Sequence, residues 1–198
     1  MNLLILTVYL ICVTYVFNNA FQVLDSLVTV NADSESIDNQ LEEQKIKDLI
    51  AIKFPFKNGY KLDNLNDLKS ITIIVNNKTL ERKVEINWNE SSLSDFGNSA
   101  GRVIRLTPGM DKVPQSQASS IMLPGQTIQE QLSNENISSP LFKANKLREA
   151  ALDEKQFHLQ LIFNISDPAT GEKKTYRLRC PFVAKKLHWK KAFGLLWK

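Results

Sequence analysis

The chain has 198 residues, 43% of them hydrophobic and 23% charged, with seven Gly, seven Pro and two Cys. That composition excludes collagen-like, low-complexity and wholly disordered chains, and two cysteines, Cys12 and Cys180, exclude a disulfide framework and offer no metal-ligand spacing. The net charge of +4 is uneven: Lys173, Lys174, Arg177, Arg179, Lys185, Lys186, Lys190, Lys191 and Lys198 all follow the last acid, Glu172, so a mildly acidic body precedes a basic tail and points to an anionic membrane or an acidic surface as partner.

Residues 1–24 form a hydrophobic segment. From Leu3 to Val23 the chain carries no Asp, Glu, Lys or Arg, enough to cross a hydrocarbon core of ~30 Å as a helix. Its most apolar part ends at Phe17, and Asn18, Asn19 and Gln22 follow. An uncleaved single-pass transmembrane anchor is the favoured reading. A cleaved secretory signal lacks its basic n-region and has its best small-residue triplet only at Val30-Asn31-Ala32. A helix buried in a soluble core is the third reading. No Lys or Arg precedes Lys45, so orientation rests on an acidic downstream flank that weakly favours a soluble domain on the non-cytoplasmic side. Residues 25–48, with Asp25, Asp33, Glu35, Asp38, Glu42 and Glu43, read as a solvated acidic neck. Ser34 caps a short helix there, and Lys45 and Asp48 interrupt the face begun by Ile37 and Leu41.

Residues 49–183 read as one β-rich domain, long enough to bury a core. Ile50, Ile52, Phe54 and Phe56 alternate with polar or small residues, and Pro55 places that strand at a sheet edge. Ile71 to Val75, then Asn76-Asn77, then Thr79 to Trp88 predict a two-stranded hairpin with Leu80, Val84, Ile86 and Trp88 on its dry face. A short strand around Val103 to Leu106 ends at Pro108-Gly109, and two more flank a type II turn at Pro124-Gly125. Ser139-Pro140 predicts the start of a helix with Leu141, Ala144, Leu147 and Ala151 on one face. The strongest alternation comes last, at Phe157 to Ile165 and Tyr176 to Phe182, an antiparallel pair. This inventory predicts a mainly β protein: an antiparallel β-sandwich, immunoglobulin-like or fibronectin-like, with one short helix.

The segment WNESSLSDFGNSAGRVIRLTPGM, Trp88 to Met110, resembles one found in uncharacterised single-span membrane proteins of photosynthetic bacteria and covers about a tenth of the chain. The resemblance implies a bacterial envelope or internal membrane and brings no activity with it.

Enzyme signatures are missing: no Gly-rich phosphate loop, HExxH, GxSxG or Cys-x-x-Cys occurs. His158 falls on the polar face of a strand and His188 in the basic tail. Ser91, Ser92, Ser94 and Asp95 read as turn and capping residues, and the carboxylate pairs Glu42-Glu43 and Asp153-Glu154 as solvated surface. No catalytic, cofactor-binding or metal site is predicted. Four N-x-S/T matches, at Asn77, Asn89, Asn136 and Asn164, matter only in a eukaryotic secretory pathway.

The positive signal is the tail, residues 184–198. Trp189, Ala192, Phe193, Leu196 and Trp197 fall at helical spacing, with Lys190, Lys191 and Lys198 off that stripe. Together with Lys185 and Lys186 they form the predicted membrane or partner contact: rings in the headgroup boundary, lysines on anionic lipid. The same stripe also suits packing on the domain or docking on a partner protein, because a helix this short needs lipid or protein to hold it; nucleic acid is not expected. The sequence thus predicts a non-enzymatic, membrane-anchored binding or assembly module. The alternatives are a structural subunit of a larger membrane or envelope complex and, below it, an enzyme whose site is dispersed along the chain.

Overall fold

The computed structural model describes residues 2–25, 27–57, 59–61, 68–97, 99–109 and 113–187, without the side chains of residues 2–3, 20–25 and 61. Among them the protein is mainly β, built from two antiparallel sheets. The larger contains β1 (Leu27–Ala32), β3 (Tyr60–Lys61), β5 (Lys83–Ile86), β6 (Ser92–Ser94), β7 (Ala100–Arg102), β9 (Ser120–Met122), β11 (Gln156–Ser166) and β12 (Lys173–Lys186). It runs β3-β1-β12-β11-β5-β9, with β6 pairing both β11 and β7. The smaller, of β2 (Ile50–Lys53), β4 (Ile71–Asn77), β8 (Ile104–Leu106) and β10 (Thr127–Ser133), runs β2-β4-β10-β8.

The β11–β12 hairpin is the spine, as its alternation predicts. Phe157, Leu159, Leu161, Phe163 and Ile165 all point inward and are buried, and Leu178, Cys180, Phe182 and Ala184 meet them from β12. Inward residues of the smaller sheet, Ile71, Ile73, Val75 and Leu132, enter the same hydrophobic cluster, so both sheets share one core. Phe182 lies at its centre, its ring 4.9, 5.4 and 5.0 Å from those of Phe54, Phe56 and Phe157. β2 is an edge strand and stops before Pro55, as a residue with no N–H to give requires.

The expected neck is not a solvated spacer. Leu27, Val28 and Val30 are buried and β1 pairs with β12 from Val28↔Lys186 to Ala32↔Phe182. Helix α2 (Ser34–Glu43) then buries Ile37 and Leu41. Two apolar residues one turn apart suffice because the helix lies along a sheet margin, and Asp33, not Ser34, caps it by accepting from Ser36 N at 3.1 Å.

The expected 71–88 hairpin is also overturned. β4 pairs with β2 and β10 in the smaller sheet, whereas β5 pairs with β11 and β9 in the larger, so residues 78–82 cross between layers. Leu80 is 92% exposed and leaves the dry face that Val84, Ile86 and Trp88 keep. Asn77 is fully buried and used for its amide. Its Nδ2 donates to the carbonyls of Arg82, Met122 and Leu123, and its Oδ1 accepts from the N–H and hydroxyl of Thr79. The crossing from β9 to β10 runs beside it through Pro124-Gly125, where Gly125 takes φ +72°. One buried amide therefore ties both crossings.

Helix α3 (Ala144–Leu152) starts later than Ser139-Pro140, because Leu141 and Phe142 are drawn into the core ahead of it; Leu147, Ala150 and Ala151 form its buried face. At the other end of the chain, α1 (Asn2–Asp25) extends for 24 residues, about 36 Å. Leu4, Ile5, Leu6, Ile11, Tyr15 and Val16 are more than half exposed on it. Among the described residues no helix is long and apolar enough to cross a membrane; the side chains described in α1 run only from 4 to 19.

Candidate functional site

Three regions carry exposed or polar groups that could act. The first is the end of the larger sheet where α1 stops. α1 ends at Asp25 and β1 begins at Leu27, opposite the end of β12. Leu187 N donates to Leu27 O at 3.1 Å, and the two leucines bury each other. Antiparallel pairing of the first and last strands thus brings the end of the apolar helix and the start of the basic tail to one pole. Lys185 and Lys186 lie here as the last two residues of β12, so the tail begins later than residue 184. Lys185 Nζ is 2.9 Å from Glu154 Oε2. Trp189, Lys190, Lys191, Phe193, Leu196 and Trp197, the rest of the predicted contact, lie outside the described residues.

The second region is the margin of β12 facing away from β11. Main-chain groups along it point outward at every second residue. β1 takes them from Phe182 onward. Below that point side chains and one turn replace a strand: Asp33 N donates to Pro181 O at 3.0 Å, and Pro181 has no N–H left to satisfy. Gln40 then makes a two-bond pair with Arg179, donating from Nε2 to its carbonyl at 2.7 Å and accepting its N–H at Oε1 at 3.0 Å. Gln44 donates to Arg177 O at 2.8 Å. Gln40 and Gln44 carry no catalytic or ligand motif; their only sequence signal is an i, i+4 amide pair beside the Ile37–Leu41 stripe. Beyond Arg177 no strand pairs with this margin among the described residues.

Third are the groups capable of chemistry. Trp88 Nε1 donates to Ser120 Oγ at 2.9 Å, Ser120 Oγ donates to Glu130 Oε1 at 2.8 Å, and Arg105 Nη1 donates to both at 3.1 and 3.2 Å. Ser120 accepts two bonds and gives one, so its lone pairs are occupied and the group acts as a strut between the sheets. Ser91 Oγ and Ser94 Oγ accept the N–H groups of Ile162 and His158, and Asp95 Oδ1 those of Gly97 and Ser99. These are turn and edge duties, as their sequence context predicts. Burial pushes the Cys180 thiol far up, which keeps it protonated and inert. An open hollow lined by Arg82, Ile165, Asp167, Glu172, Lys174 and Tyr176 has its charges paired: Arg82 with Asp167 at 3.2 Å and Lys174 with Glu172 at 3.4 Å. Among the described residues no cluster of His, Cys, Asp and Glu could hold a metal ion.

No protein-family model, curated protein or solved structure matches the chain.

Proposed function

We propose that the chain is a membrane-anchored, non-enzymatic binding or assembly module: a single-pass apolar helix, a β-sandwich of immunoglobulin-like or fibronectin-like kind, and a basic aromatic tail. The observation that carries this reading is the convergence of both ends at one pole. α1 leads into β1 opposite the last residues of β12, so an anchor in α1 holds Lys185, Lys186 and the tail against the lipid surface. In full, the uncharged run from Leu3 to Val23 is long enough to span, and an apolar helix exposed along its described length needs lipid or protein around it. Two weak attachments, a span and a lysine-rich aromatic segment, reinforce one another on a shared surface, each lysine near anionic lipid adding about 1 kcal/mol. The acidic flank after α1, with no Lys or Arg before Lys45, supports a domain on the non-cytoplasmic side.

The test is fractionation of cells expressing the full chain with a C-terminal tag, followed by protease digestion of intact spheroplasts or vesicles. A full-length band in the membrane pellet, released by deletion of residues 2–25, is the expected result. A soluble band shortened by about thirty residues would make α1 a cleaved signal. A full-length chain in the supernatant would remove the membrane reading altogether. Deleting 188–198, which leaves β12 intact, should weaken binding to vesicles containing phosphatidylserine more than to neutral ones.

A further inference from the structure

The margin of β12 is covered for part of its length by substitutes for a strand and then left open. Outward main-chain groups alternate, so the sequence Pro181, Arg179, Arg177 continues to Thr175 and Lys173. Gln40 satisfies both groups of Arg179, and Gln44 satisfies the carbonyl of Arg177. The N–H of Arg177 and both main-chain groups of Thr175 and Lys173 face outward with no strand beside them among the described residues. The side chains at these same positions rise on one face of the sheet. Lys173, Thr175, Arg177 and Arg179 are all exposed there. Lys173 reaches Glu85 at 2.9 Å, while the guanidinium groups of Arg177 and Arg179 have no acidic partner among the described residues.

We infer that the open margin of β12 between Lys173 and Arg177 is a strand-docking site for an extended acidic segment of a partner protein. The open main-chain groups supply the ladder, and the cationic row supplies the choice of partner. A two-fold copy of the same margin is the wrong occupant. Antiparallel pairing of the open stretch with its copy, centred on Thr175, would set Lys173 against Arg177, and like charges across a strand pair repel. A strand with carboxylates at alternate positions meets the row with opposite charge. Gln40 and Gln44 fix where docking stops, because a longer incoming strand would have to displace α2.

This deepens the binding-module reading and names its partner class, but it does not depend on membrane attachment, since the experiment reads only peptide binding. A fluorescent peptide of about eight residues alternating Glu and Val, the length of an ordinary strand, is titrated by anisotropy against the full chain in mild detergent, with a Gln-for-Glu peptide as control. Saturable binding of the acidic peptide is expected, with at least about a tenfold loss for the Gln peptide and for Arg177→Glu. Thr175→Pro removes one outward N–H while sparing the β11 ladder, and should cost a similar factor; Thr175→Val, which lacks the same hydroxyl but keeps the N–H, should bind like the parent. No saturable binding, or binding untouched by both Arg177→Glu and Thr175→Pro, would overturn the site. A dimer of the full chain that Thr175→Pro dissolves would make a second copy the occupant and overturn the acidic-segment proposal as well.

Discussion

The two poles of the molecule are held by different means. At the pole where α1 ends, β1, β12 and β3 continue a main-chain ladder, with Val28 opposite both Lys186 and Tyr60. At the other, about 40 Å away along β12, the chain crosses between sheets at residues 78–82 and 123–126, where the β2–β4 ladder ends at Ile50↔Asn77 and the β5–β9 ladder at Val84↔Met122. There the carbonyls of Arg82, Met122 and Leu123 converge on the amide of Asn77. A ladder tolerates most side chains because the backbone makes its bonds. A corner held by one amide depends on that residue, since only a short side chain with both donor and acceptor satisfies both sides.

The largest expected effect tests this contrast directly. Asn77→Ala leaves the Met122 carbonyl and the Thr79 N–H without the amide that pairs them, while the Arg82 and Leu123 carbonyls each keep a second donor, the Thr79 hydroxyl and Gln126 N. The loss should be about 3 kcal/mol, since each buried polar group left unpaired costs about 1–3 kcal/mol and the site will partly relax. Urea unfolding followed by circular dichroism reads it as a lower midpoint at unchanged slope. Thr29→Ala, in the ladder opposite Lys185, should cost well under about 1 kcal/mol. Equal losses at the two positions would erase the distinction between the poles.

Between the poles lies a mixed case, the margin of β12 where Gln40 stands in for a strand. Gln40→Ala should cost about 1 kcal/mol, because a typical hydrogen bond contributes about that much net and this margin lies within reach of water. Hydrogen exchange is the sharper readout: the Arg179 amide, bonded to Gln40 Oε1 at 3.0 Å, should exchange faster, whereas Leu178, bonded within the β11 ladder, should not change. Unchanged exchange at Arg179 would mean that α2 lies beside β12 without sealing it.

The same division decides what the sequence could reveal. β11 and β12 are legible because Phe157 to Ile165 and Tyr176 to Phe182 each keep a strict alternation and lie next to one another in the chain. The edge position of β2 follows from Pro55 alone. The strands β4 and β5 are equally legible as strands, but not as partners: adjacency suggests a hairpin, whereas their partners β10 and β11 lie far along the chain and the amide at the corner reaches Met122 and Leu123, 45 and 46 residues away. β1 hides for another reason. Leu27, Val28 and Val30 directly follow the apolar run of α1, so their hydrophobicity reads as its end, and the acids of α2 mask Ile37 and Leu41. The candidate contact at Lys185 and Lys186 was visible as charge; the pairing that sets it beside α1 is a property of the first and last strands together. Gln40 and Gln44 give almost no signal, because an exposed glutamine on a helix is ordinary until its partner strand is known.

The smallest effect concerns the ion pair that Lys173 makes with Glu85 across the outer face, 2.9 Å apart. The hydrogen bond from Lys173 holds the Glu85 carboxyl below its ordinary value of 4.5, against a partial opposing push from burial. A lowered folded-state value means that the native chain favours the charged carboxylate more than the unfolded chain does. Its stabilisation is therefore complete above pH 4.5 and is lost as the pH falls through the depressed folded value. Both side chains keep contact with solvent, so the pair contributes only about 0.2–1 kcal/mol. Glu85→Gln should lower stability by that amount near pH 7, and the difference from the parent should shrink as the pH falls below 4.5 and through the depressed folded value. Added salt at pH 7 should shrink the same difference, since exposed charges are screened over about 10 Å at 0.1 M. A gap that persists at low pH would show that Glu85 acts through packing beside Ile121, its neighbour on β9, and not through charge. That outcome would move this part of the outer face from the ion-paired class to the packed one and would leave Lys173 free to serve the open margin of β12.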